Sequence, residues 1–150
     1  PERTGNKSKY LVNKFIGGVA ATPRLVDIKL FRTAEMYLIR AEAKTESQGN
    51  GNEDLNALRK ARINGYSNVN ISDKTQLLQE IEDERFKELA FEGHRFFDLK
   101  RRKKNIERPN EDIVNASGAK TLTPSQAQYN LPLPNLEIQV NKNIVQNPNY

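Results

Sequence analysis

From Phe31 onward the chain repeats its apolar side chains with the period of an α-helix, and no other feature restricts its fold as much. Ala34, Tyr37, Leu38, Ala41 and Thr45 stand at i, i+3, i+4, i+7 and i+11, one stripe of an amphipathic helix that stops near Gly49. Asn52 or Asp54 can cap a second helix, in which Leu55, Leu58, Ala61 and Arg62 line one side before Gly65 offers a left-handed stop. Two helices joined by so short a turn make a helical hairpin. After a loop over 66–71, Asp73 and Gln76 have the spacing of a capping box that opens a third, longer helix. Its apolar stripe is Phe86, Leu89, Ala90, Gly93, Phe96 and Phe97, with Arg85, Glu88, Glu92 and Arg95 recurring beside it. Interior glycine costs about 1 kcal/mol relative to alanine, so Gly93 is the place for a kink or a division. The pattern predicts a mainly α fold, a hairpin plus a long helix.

The flanks read differently. Residues 1–30 are expected to be an extended, looped lead-in, since Gly5, Gly17-Gly18 and Pro23 punctuate short apolar runs such as Tyr10-Leu11-Val12. Residues 31–150 form the helical domain. Beyond Arg108-Pro109 periodicity fades into a tail rich in Pro and Asn. There Leu131-Pro132-Leu133-Pro134 should be extended, because a residue before Pro is pushed out of the helical region, with its leucines docked on the helices. A chain of 150 residues fits one domain that buries roughly 68–70% of its unfolded surface. Its hydrophobic fraction is 36%, and it stays below the usual range of about 45–50% when Gly is counted in place of Tyr. So thin a core is expected of a piece of a larger protein whose remainder covers part of its apolar surface.

Composition removes several chemistries. With no Cys and one His, disulfide frameworks, thiol nucleophiles, iron–sulfur clusters and all-Cys or His-rich zinc sites are excluded, and a Ser-His-Asp triad would have to use His94. No run approaches the roughly 18 apolar residues of a membrane span, and nothing at the start resembles a signal peptide. His94 and Asp98, at i and i+4, could present two metal ligands but lack a third, so no metal and no cofactor is expected. Glu88 and Glu92 lie one turn apart, yet glycoside cleavage needs one raised pKa and a cleft between the pair. With Arg85 and Arg95 alongside, the row reads as an ion-pair ladder and the chain as no enzyme. Net charge is +5, and Lys100 to Lys104 form an unbroken basic run. Because Glu80 to Glu84 just upstream are largely acidic, a salt-bridged helix end is expected and nucleic acid is not.

Sugar recognition needs ring faces for C–H surfaces and planar polar side chains for hydroxyls. Tyr66 among Asn64, Asn68 and Asn70, and Tyr129 beside Gln126, Gln128 and Asn130, are the loop aromatics with such company. They are the candidate glycan contacts, although anchoring a loop on the core is the commoner use of such a tyrosine. Asn6, Asn70 and Asn115 stand in N-glycosylation acceptor patterns, which matter only in a eukaryotic secretory source.

Residues Glu84 to Arg101 read ERFKELAFEGHRFFDLKR. This resembles the signature helix of the SusD/RagB family, ER-x-x-ELAFEGHR-aromatic-x-DL-x-R. The stretch Arg32 to Ala43 is similar to that family's R-x-AE-x-YL-x-x-AEA helix, with Leu55 to Arg62 following it, and Leu131-Pro132-Leu133-Pro134, Glu137 and Gln146 to Tyr150 resemble its LPIP-x-x-E and terminal QNPGY. The likeness runs from Arg32 to Tyr150 and covers only the family's C-terminal part. It implies a surface-exposed lipoprotein of the Bacteroidetes outer membrane, built on tetratricopeptide-like hairpins. Such a protein binds a glycan or another nutrient without catalysis and delivers it to a SusC-like TonB-dependent transporter, whose lid it forms. The lipid-bearing Cys is absent from these residues, so membrane contact is expected only through an anchor this chain does not carry. Two departures stand out: Asn149 where Gly is usual, and no Trp after the basic run. The motif residues are expected to hold the fold, with Arg85, Glu88, Glu92, Arg95 and Asp98 crosslinked to Arg32, Glu35 and the Pro-rich tail. On that reading Glu88→Ala or Arg95→Ala costs about 3 kcal/mol. The alternative is a helical interaction scaffold that binds a protein or nucleic acid through its hairpin and basic helix end, with steep salt dependence.

Overall fold

The computed structural model describes residues 14–15, 17–19, 22–23, 26–27, 29–110, 120–148 and 150. The chain divides into two compact units, Pro1–Thr33 and Ala34–Tyr150. In the first, β1 (Gly18–Val19) and β2 (Thr22–Pro23) pair antiparallel, with Gly18 opposite Pro23 and Val19 opposite Thr22. The apolar run Tyr10-Leu11-Val12, the acceptor patterns at Asn6 and Asn115, and Asn149 lie outside the described residues.

The second unit is mainly helical, as the periodicity predicts. Helices α1 (Thr33–Glu46), α2 (Asn52–Arg62), α3 (Lys74–Glu88) and α4 (His94–Arg101) are followed by the short antiparallel pair β3 (Ile106–Glu107) and β4 (Thr121–Leu122). A 3-10 turn, Ala127–Tyr129, and the short helix α5 (Asn135–Val140) follow toward the C-terminus. The predicted stripe of α1 is the one it buries, through Ala34, Leu38, Ala41 and Thr45. Leu55 and Leu58 of α2 and Leu77 and Ile81 of α3 pack against it, with Ile71 at the margin. Leu38, Leu55 and Ile81 are fully enclosed, each contributing about 1.5–3 kcal/mol by leaving water.

The turn into α2 departs from expectation. Neither Asn52 nor Asp54 caps the helix; Gly51 occupies the cap position without a side-chain bond. Asn52 instead pairs with the backbone of Ile71, and Asp54 takes two bonds from Arg40, so both side chains make tertiary contacts that a cap would forgo. Gly51 is there because the helices approach closely. A Cβ at this position would lie 2.0 Å from Thr45 Oγ1 and 2.5 Å from the Ala41 carbonyl oxygen. Farther along α2, Ala61 and Arg62 face solvent.

Helix α3 opens as its sequence dictates, with Asp73 accepting from the Gln76 amide at 2.7 Å. It does not run on. The chain leaves the helix after Glu88, Phe91 and Gly93 take positive φ values of 64° and 82°, and α4 restarts at His94. This division changes the rotational phase of α4 relative to α3, so the continuous apolar stripe expected over Phe86 to Phe97 does not form. Leu89 and Leu99 are buried, whereas Phe86, Phe91 and Phe97 are exposed.

The tail is fastened by polar bonds. Of the two leucines expected to dock on the helices, Leu131 is exposed and Leu133 is half-buried. The Gln146 amide accepts from Leu133 N at 2.8 Å and donates to Leu133 O at 3.0 Å, Asn147 donates to Leu131 O, and the Tyr150 hydroxyl donates to Asn130 O. Prolines at 132 and 134 remove amide donors and hold the backbone extended, which leaves these carbonyls free for side-chain partners.

Candidate functional site

The motif residues form a lattice of ion pairs between helices. Arg85, 6% exposed, donates from Nε to both oxygens of Asp98 at 3.2 and 3.1 Å and from Nη2 to Glu35 at 3.5 Å. His94 Nδ1 lies 3.6 Å from the same Glu35 oxygen. Arg101 joins Asp98 to Glu42, which it grips with two nitrogens at 2.6 and 2.8 Å, and Arg102 bridges Glu42 and Glu46. Lys104 bonds Glu82 and Gln79. Three cations of the basic run are therefore committed to carboxylates of α1, α3 and α4. A nucleic acid would have to displace them.

Side chains of the charged row reach across to neighbouring helices. Glu88 receives both bonds from Arg62 of α2, at 2.9 Å each. Arg95 sits over the Phe86 ring, 4.7 Å from its centre, and 3.6 Å from Glu82. Among the described residues, Arg85, Arg95 and Asp98 find their ion-pair partners on α1, α3 and α4, not in the Pro-rich tail. Glu92 lies half-buried in the link before α4, and Arg32 belongs to the N-terminal unit. The guanidinium of Arg62 occupies both oxygens of Glu88, which does not suit that carboxylate to acid/base work. Among the described residues, no group of three or more His, Asp and Glu is placed to share a metal ion.

Three carboxylates, Glu42, Asp54 and the exposed Glu46, are held below their ordinary pKa by basic partners, and the first two carry the larger pH consequence. The hydrogen bond from Arg101 holds Glu42 below the usual carboxylate range despite its burial, and that from Arg40 does the same for Asp54. A carboxyl whose folded pKa is depressed stabilises the fold above its unfolded pKa, and that contribution disappears as pH falls through the folded value. The urea midpoint should therefore be flat from about pH 7 to 5 and fall below about pH 4, with a shallower decline in Asp54→Asn.

A separate arrangement lies on the other side of α2. Asn52 and Asn56 are one helical turn apart, and Val69 and Ile71 are two residues apart in the extended loop. The matched spacings, about 5.4 Å along the helix and about 6.7 Å along the strand, let each amide read one backbone unit. Asn52 donates to Ile71 O at 3.0 Å and accepts from Ile71 N at 2.9 Å, while Asn56 donates to Val69 O at 2.8 Å and accepts from Val69 N at 3.1 Å. The Tyr66 hydroxyl donates to Asn56 Oδ1 at 2.8 Å. The loop is thus stapled along the helix, and a groove of about 510 Å³ opens between them, lined by Asn52, Asn56 and Val69 of the staple together with Glu53, Lys60, Asn68 and Asn70, whereas Tyr66 is not part of its lining. Asn68 and Asn70 are exposed at its rim.

Of the two tyrosines, Tyr66 is half-buried at the base of this loop. Tyr129 is 4% exposed and donates to the carbonyls of Leu99 and Lys104, so it fastens the C-terminal segment to the end of α4 and presents no ring face. Sequence reasoning singles out Asn68 and Asn70 as company for Tyr66 but takes Asn52 for a cap. The i, i+4 spacing of Asn52 and Asn56 is the available signal for the staple.

A helical hairpin with a polar loop stapled along its second helix, braced by ion pairs to two further helices, defines the class as a helical module with a polar groove. The chain belongs to the SusD family, whose model matches residues 1–150 and so takes in the lead-in as well as the motifs. It is similar to the starch-binding protein SusD of Bacteroides thetaiotaomicron, at 37% identity over 126 residues, which are 83% of this chain and 22% of that protein. The chain thus spans about a fifth of the length of that relative. No helix among the described residues is long and apolar enough to cross a membrane.

Proposed function

We propose that this chain takes part in capturing a glycan at the bacterial outer membrane, without a chemical step, for import through a SusC-like TonB-dependent transporter. The protein is held at the membrane by a lipid anchor. The supporting observation is the asparagine-lined groove along α2 in a chain of the SusD family. Planar amides offer a donor and an acceptor side by side, as vicinal sugar hydroxyls require, and the Ala57 and Val69 side chains supply apolar patches for C–H faces. Asn52, Asn56 and Tyr66 position the loop; Asn68 and Asn70 are the ligand-contacting residues. Tyr129 acts only as a brace.

The similarity to a starch-binding protein puts malto-oligosaccharides first in a panel of neutral oligosaccharides for calorimetric titration. Saturable heat with one class is expected, little changed by salt. Asn68→Ala with Asn70→Ala should weaken it about tenfold, since each lost neutral hydrogen bond contributes about 0.5–1.5 kcal/mol. Melting should not move, because neither side chain has a hydrogen-bond partner among the described residues. Wild-type affinity in the double variant, or no heat from any sugar, would sink this assignment.

A further inference from the structure

A second cleft, of about 640 Å³, lies between α3, α4 and the start of β3, away from the asparagine groove. Its lining carries three cations, Arg95, Lys103 and Lys104, against two carboxylates, Glu82 and Glu107, and includes the Phe86 ring. Glu82 is buried and already served by Lys104, with Arg95 at 3.6 Å. Lys103 has no ion-pair partner among the described residues, so the cleft keeps one uncompensated positive charge.

The backbone at Lys103 is the second observation. The Lys104 amide donates to Leu99 O and the Lys103 amide to Lys100 O, the paired bonds of a Schellman motif that ends α4. The left-handed position of that motif favours glycine, yet here lysine holds it at φ 52°. Strain of this kind persists only where the surrounding structure holds it, and it clusters at functional positions. Nearby, Phe86 is 53% exposed with the Arg95 guanidinium stacked over its ring at 4.7 Å, a ring and a planar cation presented together.

We propose that this cleft binds the carboxylate or sulfate of an acidic sugar residue, with Lys103 and Arg95 on the anion and the Phe86 ring against the sugar's C–H face. The proposal rests on the glycan reading above and adds a ligand class to it, an anionic glycan held at a second place.

The test is calorimetric titration of the chain with trigalacturonate, maltotriose and inorganic sulfate, at low and high salt. Trigalacturonate should bind with salt-sensitive affinity, and Lys103→Gly should weaken it about tenfold, the scale of one lost charge-assisted hydrogen bond. Glycine suits the left-handed position, so the melting temperature of Lys103→Gly should be unchanged or higher, and failure to fold cannot mimic the result. Maltotriose should be indifferent to Lys103→Gly and sensitive to the Asn68 and Asn70 changes. Trigalacturonate binding equally to wild type and Lys103→Gly overturns the cleft, as does silence from trigalacturonate while maltotriose binds, which leaves the groove standing. Sulfate binding as tightly as trigalacturonate overturns the sugar-borne source. Lys103-dependent trigalacturonate heat with silent maltotriose supports the cleft and fails only the groove.

Discussion

Gly51→Ala should destabilise the chain by at least about 2 kcal/mol, the range for forcing an added carbon into a closed contact. Backbone preference argues the other way. Gly51 has φ −73° and ψ −16°, a conformation alanine adopts freely, and replacing glycine at such a position ordinarily stabilises by about 0.4–1 kcal/mol through the unfolded chain. Packing decides the sign. The new Cβ would meet Thr45 Oγ1 at 2.0 Å and Ala41 O at 2.5 Å, and the second of these is backbone that no rotamer change can clear. Relief requires α1 and α2 to part, which loosens Leu38 and Leu55 at the centre of the core. Thr45→Ala in the same chain removes one clash and should recover only part of the loss. Gly65→Ala, in open space at φ 72°, tests a purely conformational penalty of about 1 kcal/mol. A urea midpoint for Gly51→Ala equal to or above wild type would mean that the helix approach is softer than its geometry.

How much of the fold is legible in the sequence depends on how local each determinant is. The α1 stripe, the Asp73 cap and the break at Gly93 are set by residues within a turn of one another, and all three are present. The phase of α4 after the break is set by φ at Phe91 and Gly93, which no periodicity encodes, so the pattern assigns Phe97 to a core it does not enter, while Phe86, before the break, lies off the face on which α3 buries Leu77 and Ile81. The charged row is visible as a row, but its partners depend on which helices stand opposite. Glu88 therefore meets Arg62, 26 positions away. The same residue types serve caps and tertiary staples, which is why the sequence misplaces Asn52 while pointing to Asn68 and Asn70. Tyr129 is legible as an anchor, though its targets, two carbonyls at the end of α4, are not.

Asp98→Ala should cost about 3–5 kcal/mol, the range for leaving a buried charge without its partner. Arg85 and Asp98 are each 6% exposed. With Asp98 gone, the Arg85 guanidinium keeps only Glu35 at 3.5 Å, and its Nη1 already has no hydrogen-bond partner. Arg95→Ala is the contrasting case. The Arg95 side chain is 45% exposed and its Glu82 partner retains Lys104, so the cost falls to about 1 kcal/mol, well below the value the motif alone suggests. Replacing both buried partners, as Arg85→Met with Asp98→Leu, should restore most of what Asp98→Ala loses, because apolar residues of similar volume carry no desolvation penalty. Urea unfolding of the three variants separates two roles for the motif. If the double variant is nearly as stable as wild type, the buried pair adds little net stability. It then specifies which face of α4 meets α1 and α3, the relation that sets the position of Arg95 and Lys103 beside Phe86. If the double variant is as weak as Asp98→Ala, the pair itself stabilises the unit and the orientation of α4 comes from packing.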